Sequence, residues 1–315
     1  MQATASQPRP QPQLPLVSLC IPTHERPDYL RLALESVCAQ TYPALEIVVT
    51  DNSATDASLD AVQDLLARHP NMRFLRCPDK SYYMDNWQNG LAACRGEYIS
   101  FLMDDDLYHP TKVARMVGVF EANPECGLVT SHRQLIGPSG ELLPQLPGTE
   151  HQFPGDAMVS GDDWARQILL TGRNVIGEPT TVLMRRRDLG AAFGFCMGRQ
   201  YQVLSDVATW VRLIRGRKAA YLHDSLSQFR LHGGQDQRRS LQTLWANVEW
   251  LQLLLDADND GLFDGHDEAV RASLKGKLDA LVPYTTQNAA ALREQGGSVD
   301  SILRLLRQAL DRLLH

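Results

Sequence analysis

Three consecutive carboxylates, Asp104, Asp105 and Asp106, close the short apolar run FLM at residues 101–103. Adjacent carboxylates repel one another, so a fold that gathers three of them at one strand end commonly holds a cation there. In an open α/β sheet, ligands bind outside the carboxyl ends of the strands. Hard oxygen ligands at that place suit Mg²⁺ or Mn²⁺ carrying a diphosphate. A solvated acidic turn is the simpler alternative. A second acidic run, DADNDGLFDGHD at residues 256–267, fits the calcium-loop pattern D-x-D-x-D-G, with Phe263 at the apolar eighth position. Its twelfth position is Asp267 rather than glutamate, with Glu268 one place late, so it would hold Ca²⁺ weakly; the alternative is an acidic connection between two helices.

The elements that must position these groups alternate from the start. Residues 16–21 (LVSLCI) form a continuous apolar run, as in a strand buried on both faces, and Pro22 is expected to end it. Pro27 opens a helix with Leu30, Leu34 and Val37 on one face. Residues 45–50 (LEIVVT) are the second strand, stopped by Asp51-Asn52-Ser53; residues 59–67 are helical with Leu59, Val62 and Leu66 inward. Residues 72–75 and 97–103 are the third and fourth strands, with a helix at 87–94 between them, preceded by Asn86. This order implies a mostly parallel sheet covered by helices. Further on, the pattern predicts a helix from Pro110 to about Glu121, a strand at 127–136, a Gly- and Pro-rich loop or flap at 137–155, and a helix at 162–171. A strand at 180–184 is followed by the triplet Arg185 to Arg187, read as a solvated turn; a helix at 206–215 and one or two strands at 219–231 complete this part.

Three amphipathic helices follow, at 241–255, 268–281 and 301–314. The expected division is a flexible tail at 1–15, an α/β domain at 16–239 and a helical extension at 240–315. The last helix sets Ile302, Leu306, Leu310 and Leu313 along one side, to dock on the α/β domain, pair with another subunit, or lie on a membrane surface.

With 31 basic and 37 acidic residues the net charge is −6, which argues against a nucleic-acid-binding surface. The six cysteines are scattered without a C-x-x-C pair and read as free thiols of a reducing compartment. No stretch approaches the roughly 20 apolar residues of a membrane span. These features together suggest a cytoplasmic protein, with peripheral contact at the inner face of a membrane left open.

The segments VSLCIPTHERPDYLRLALESVCAQTYPALEIVVTDNS, GEYISFLMDDDLYHPTKV, SDVATWVRL and QFRLHGG, in this order over residues 17–234, resemble the inverting family 2 glycosyltransferases of GT-A fold. The resemblance implies an α/β GT-A sheet and a metal, Mn²⁺ or Mg²⁺. It also implies a nucleotide-sugar donor, a UDP-sugar first among the candidates. Pro22, Thr23 and Glu25 then lie where the nucleotide docks. Asp51 can accept the imino N–H of uracil or make an Asx turn with Asn52 and Ser53, and both can hold at once. The resemblance favours the base contact.

Asp105 would be the direct metal ligand, Asp104 a donor contact and Asp106 a supporting acid of the metal group. His232 would complete the metal site or touch the diphosphate, and Arg230 could neutralise phosphate. Many family members carry aspartate where this chain has Met103, and glutamate where it has Ser205. Asp206 matches the family's base, which takes the proton from the attacking acceptor hydroxyl. Glu178 is a candidate acceptor contact. The acceptor would be a glycan, a lipid-linked group or a protein, in cell-surface polysaccharide or glycoconjugate synthesis. Two alternatives remain: a catalytically inactive nucleotide-sugar-binding module, and a nucleotidyltransferase.

Overall fold

The computed structural model describes residues 14–77, 83–190, 192–233, 239–288, 292 and 298–314. The expected N-terminal tail and Gly234 therefore lie largely or wholly outside the described residues.

Strands β1 (Val17–Thr23), β2 (Leu45–Asp51), β3 (Met72–Arg76) and β4 (Tyr98–Phe101) pair in parallel in the order β3-β2-β1-β4. β8 (Leu183–Arg185) runs antiparallel between β4 and β6 (Cys126–Ile136). β11 (Lys218–Arg230) lies parallel to β6, with β5 (Leu107–Tyr108) and β7 (Ala157–Ser160) antiparallel against it. A separate small hairpin joins β9 (Phe195–Cys196) to β10 (Arg199–Gln200).

The apolar runs form buried strands because their alternate residues feed two cores. Val17, Leu19, Ile21, Ile47 and Val49 face α1 (Pro27–Cys38) and α5 (Lys112–Ala122), while Cys20, Val48, Ile99 and Phe101 face the opposite side. That second side is covered by α6 (Gly161–Thr171) and α7 (Ser205–Ile214), through Trp164, Ile168, Trp210 and Val211. Helix α4 (Tyr83–Ala93) crosses close to β1 and β2 at Gly90, where a Cβ would stand 2.5 Å from Cys20 Sγ. The three C-terminal helices, α8 (Arg239–Asn259), α9 (Asp267–Gln287) and α10 (Ser298–Leu314), extend this core through Leu244, Leu254, Val270, Leu274 and Ile302. None of the helices among the described residues is long and apolar enough to cross a membrane.

Several expectations are corrected. Pro22 does not end the first strand, which continues to Thr23. Cys20, on the same side of the backbone as Pro22, accepts from Leu102 of the β4 segment, and the β1–β4 ladder stops at Cys20–Phe101. The missing N–H of Pro22 therefore falls where no partner strand remains. The helix expected at 59–67 is split into α2 (Ala57–Asp60) and α3 (Gln63–Arg68), which buries Val62 and Leu65 rather than Leu59 and Leu66. Asn86 and Trp87 lie inside α4, not before it. Residues 179–181 form a 3₁₀ turn and the strand starts only at Leu183.

Arg185 is no solvated turn residue. It is 4% exposed, donates to the carbonyls of Cys126 and Phe120, and stacks over the Phe120 ring at 4.4 Å. On α10 the buried side is Ile302, Leu305 and Ala309, while Leu303 and Leu310 are exposed.

The 137–155 segment is a loop, as expected, and its far part is clasped by three histidines. His132 of β6, His151 of the loop and His223 of β11 stack face to face, with ring centroids 3.7 and 3.9 Å apart.

Candidate active site

The carboxyl ends of β1 and β4 lie side by side, and the turn after β4 brings the acidic run back over them. Thr23 Oγ1 donates to Asp104 Oδ2 at 2.8 Å, and the His24 N–H reaches the same oxygen at 3.3 Å. Arg26, just ahead of α1, places one guanidinium nitrogen 3.0 Å from Asp104 Oδ1 and 2.9 Å from Asp105 Oδ2. His232 Nε2, from the segment after β11, lies 3.0 Å from the same Asp105 oxygen. The His232 ring packs against Tyr29 at 4.9 Å, and the Arg230 guanidinium lies 4.9 Å over the other partner, the Tyr29 ring.

Arg230 is buried and donates to the carbonyls of Asp105, Gly137 and Pro138, which fixes the start of the 137–155 loop beside the acidic run. Asp106 turns inward. It is fully buried, and its oxygens accept from Thr180 Oγ1 at 2.6 Å and the Arg230 N–H at 2.9 Å. It supports the turn from beneath and does not present a ligand oxygen to the cleft.

Burial weighs against ionisation in this cluster. Burial, followed by the neighbouring Asp105, raises the Asp104 carboxyl to about 6, against the opposing pull of Arg26 and Thr23. Burial and Asp105 likewise push Asp106 well above the usual carboxylate range. Buried carboxylate oxygens that already draw a guanidinium between them fit a hard divalent cation at this place. Among the described residues no three His, Cys, Asp or Glu side chains converge on a metal position. The protein can therefore offer Asp105 and His232, with the remaining positions left to a diphosphate and water.

A second network holds the adjoining ends of β1 and β2. Glu25 has a left-handed backbone (φ 54°); its N–H donates to Ser53 Oγ at 2.7 Å, and its carboxylate accepts from the Ala54 N–H at 2.6 Å. Asp51 makes the expected Asx turn, accepting from the Ser53 N–H at 2.8 Å, and its other oxygen is taken by Arg76. It is fully buried, so contact between Asp51 and a base requires Arg76 to turn away. Asn86, inside α4, ties the two strand ends together by donating to the carbonyls of Thr23 and Thr50.

Asp206 enters from the other side, in the first turn of α7. Asn174 Nδ2 donates to its Oδ2 at 2.8 Å and the Val207 N–H to its Oδ1 at 2.7 Å. Burial, with a smaller contribution from the charge of Glu178, raises this carboxyl to about 7, although the two donors pull the other way. The 174–181 segment links the two halves of the site. Asn174 holds Asp206, Thr180 holds Asp106, and the Glu178 charge raises both acids. Glu178 is itself ion-paired to buried Arg133 at 2.6 Å. Beneath the segment, fully buried Lys112 donates to the Thr181 carbonyl at 2.8 Å, and burial holds its amine well below the usual lysine range.

Of the residues singled out from sequence, the fold thus groups Thr23, Asp104, Asp105 and His232, sets Asp106 behind them, and places Pro22, Glu25 and Asp51 along the adjoining strand ends. Arg26 and Thr180 escaped the sequence reading. A cation three residues past the Thr23 strand end was the available signal for Arg26.

The calcium expectation at 256–267 finds no support. Residues 256–259 still belong to α8, so the backbone cannot wrap an ion there. The carboxylates are engaged by arginines: Asp256 with Arg199, Asp258 and Asp267 with Arg312, and Asp260 with Arg215.

The profile of "Glycosyl transferase family 2" matches residues 18–193, more than half of the chain. An uncharacterized glycosyltransferase of Nostoc is 26% identical over 226 residues, 70% of this chain and 66% of that relative's own length. Among solved structures, Staphylococcus aureus TarS 1–349 in complex with UDP superposes with a TM-score of 0.63 at 16% identity, covering 95% of this chain and 83% of that one. The mannosyltransferase PcManGT of Pyrobaculum calidifontis, in complex with GDP-Man and Mn²⁺, gives 0.57 at 17% identity, covering 96% and 88%. At these identities the two structures support the GT-A fold. The chain belongs to glycosyltransferase family 2, and it spans between 30% and 67% of the length of the first curated relatives it matches. Asp206 and His232 lie beyond the profile match, so their roles rest on the geometry above.

Proposed function

We propose that this protein is a metal-dependent, inverting transferase that moves a sugar from a nucleoside diphosphate donor to an acceptor hydroxyl. One observation supports the reading: the 174–181 segment ties Asp206, a carboxyl raised to about 7, to the acidic run, through Asn174 on Asp206 and Thr180 on Asp106. A base with a value near neutrality can take a proton from a hydroxyl and still be about half ionised at neutral pH. Asp105 and His232 would hold Mg²⁺ or Mn²⁺, which as a Lewis acid neutralises the departing diphosphate. Asp104 faces the donor, and Glu25, Ser53 and Asp51 border the nucleotide. Asp206 deprotonates the acceptor hydroxyl, which attacks the anomeric carbon opposite the leaving group and so inverts the configuration.

The UDP carried by TarS and the GDP-Man with Mn²⁺ carried by PcManGT make uridine and guanosine donors the first to test. Glycan, lipid-linked and protein acceptors all present the required hydroxyl. The acceptor screen follows the donor, with cell-surface polysaccharide or glycoconjugate intermediates first.

Thermal shift and calorimetry with UDP-, GDP- and dTDP-sugars, in Mn²⁺, Mg²⁺ or EDTA, test the donor half on the wild type and Asp105→Ala. The expected result is donor binding that needs metal and is lost in Asp105→Ala. Metal-independent binding, or no binding at all, would remove the metal assignment or the donor site respectively. The departures at Met103 and Ser205 favour a second reading, a donor-binding module without turnover. It predicts donor affinity with no product from any acceptor and no hydrolysis.

A further inference from the structure

Arg26 has no part in the proposed reaction, yet it sits between the two carboxylates at its centre. One guanidinium nitrogen lies between Asp104 and Asp105, at 3.0 and 2.9 Å, on the same Asp105 oxygen that His232 approaches. The turn that delivers it is tied down. Glu25 adopts a left-handed backbone that costs a non-glycine residue free energy, and it is bonded in both directions to the 53–54 segment. That turn directs Arg26 back over the end of β4 instead of out along α1. The two carboxylates are about 6% exposed and walled in, whereas Arg26 is 32% exposed at the mouth of the cluster. Of the three, Arg26 is the member with room to move.

A divalent cation held by Asp105 and the Arg26 nitrogen would compete for the same Asp105 oxygen, since both are drawn by the same negative charge. A guanidinium displaced toward the mouth is suited to a diphosphate arriving with the metal, because its planar fork matches phosphate oxygens. We infer that Arg26 is a donor-binding residue that alternates between two anions: it seats on Asp104 and Asp105 while the donor is absent, and transfers to the diphosphate when metal and donor enter. Metal alone must then evict Arg26 without offering it a new partner, whereas metal with a nucleoside diphosphate offers one. Metal and nucleotide thereby strengthen each other's binding, and the coupling is reciprocal.

The inference rests on the proposed metal role of Asp105, and Mn²⁺ binding separates the two. Free Mn²⁺ is followed by electron paramagnetic resonance in titrations of the full chain, with and without saturating UDP. Wild type, Arg26→Ala and Arg26→Lys are compared, with circular dichroism as the check on folding. Mn²⁺ alone should bind Arg26→Ala about tenfold more tightly than wild type, as expected for removing one opposing charge beside the carboxylates. UDP should strengthen Mn²⁺ binding clearly in wild type and several-fold less in Arg26→Ala. Arg26→Lys, which keeps the charge, should stay near wild type for Mn²⁺ alone. If Arg26→Ala does not fold, Arg26→Gln keeps the stem and removes the charge, and the same differences are expected. Equal Mn²⁺ affinity and equal coupling in all variants would overturn the role of Arg26 and leave the metal site standing. No Mn²⁺ binding to any of them would remove both.

Discussion

Two acidic runs in this chain look alike as strings and have opposite fates. At residues 104–106 the carboxylates are buried, and burial and mutual repulsion raise Asp104 to about 6 and Asp106 well above the usual range. At residues 256–267 the acids lie at or near the surface, and three arginines from different parts of the fold answer them. Arg312 bridges Asp258 and Asp267 and lowers the Asp267 carboxyl, while Arg199 and Arg215 take Asp256 and Asp260. The first run confines its carboxylates away from solvent at strand ends, where an α/β sheet delivers ligands. The second uses balanced charge to fasten the helical extension to β10, α7 and itself. Carboxylates mark a cation site only where the surrounding protein confines them.

The contrast breaks most readily at Asp105. Asp105→Ala should abolish metal-dependent donor binding and lower turnover by about 10²–10³-fold or more, while Asp258→Ala leaves both unchanged in the same calorimetric and turnover assays. A comparable loss from Asp258→Ala would erase the distinction between the runs.

Asp206 extends the comparison to the far side of the site. Asp206→Asn should lower turnover by about 10²–10⁴-fold with donor affinity retained. In the wild type the rate should rise with pH and level off above about 7, because the base works ionised. Stability moves the other way. The folded-state value lies above that of an unfolded aspartate, so the contribution of the protonated carboxyl is full below about pH 4 and is lost as pH rises through about 7. Asp206→Asn should therefore match the wild type near pH 4 and exceed it at pH 8 by roughly 1–3 kcal/mol, read from denaturant midpoints. A pH-independent rate between 5 and 8 would rule out this base.

Smaller effects sharpen the other arm. Arg312→Ala removes two partly exposed ion pairs and should cost about 1 kcal/mol, less at high salt, with turnover intact. Smallest of all, Ca²⁺ added to Asp105→Ala should not move the melting temperature. An upward shift that disappears in Asp256→Asn would restore calcium to residues 256–267.

How much of this was legible in the sequence follows from how each feature is encoded. β1, β2, β4 and α1 were readable because their burial repeats along several residues, and contiguous carboxylates at 104–106 announce themselves. Short edge strands such as β5 and β7 carry too few residues to show a period, and they exist because β11 offers them a ladder. Arg185 looked like surface because its neighbours are Arg186 and Arg187. Only the antiparallel register of β8 turns it inward, onto Phe120. The same limit applies within the site. Arg26 reaches the acids through the left-handed turn at Glu25, and Thr180 reaches Asp106 through a 3₁₀ turn that the β-rich composition of TTVLM concealed. A single polar side chain has no period, so its aim is set by local backbone geometry that pattern cannot supply.

β11 pairs with β6 almost throughout, but its register slips between Leu222 and Ser225 and again between Ser225 and Ser227. Those irregularities carry His223 toward His151 and set the side to which Arg230 is presented three residues later, before the chain reaches His232. Side-chain direction along a strand has a period of two. Here the count is broken: five steps on β11 from Leu222 to Ser227 match only two on β6, from Ser131 to Arg133, and the ladder then resumes to Arg230 against Ile136. The surplus residues of β11 are thus a reserve of length, so trimming one of them should shorten the bulge while the pairing with β6 still fixes where Arg230 points.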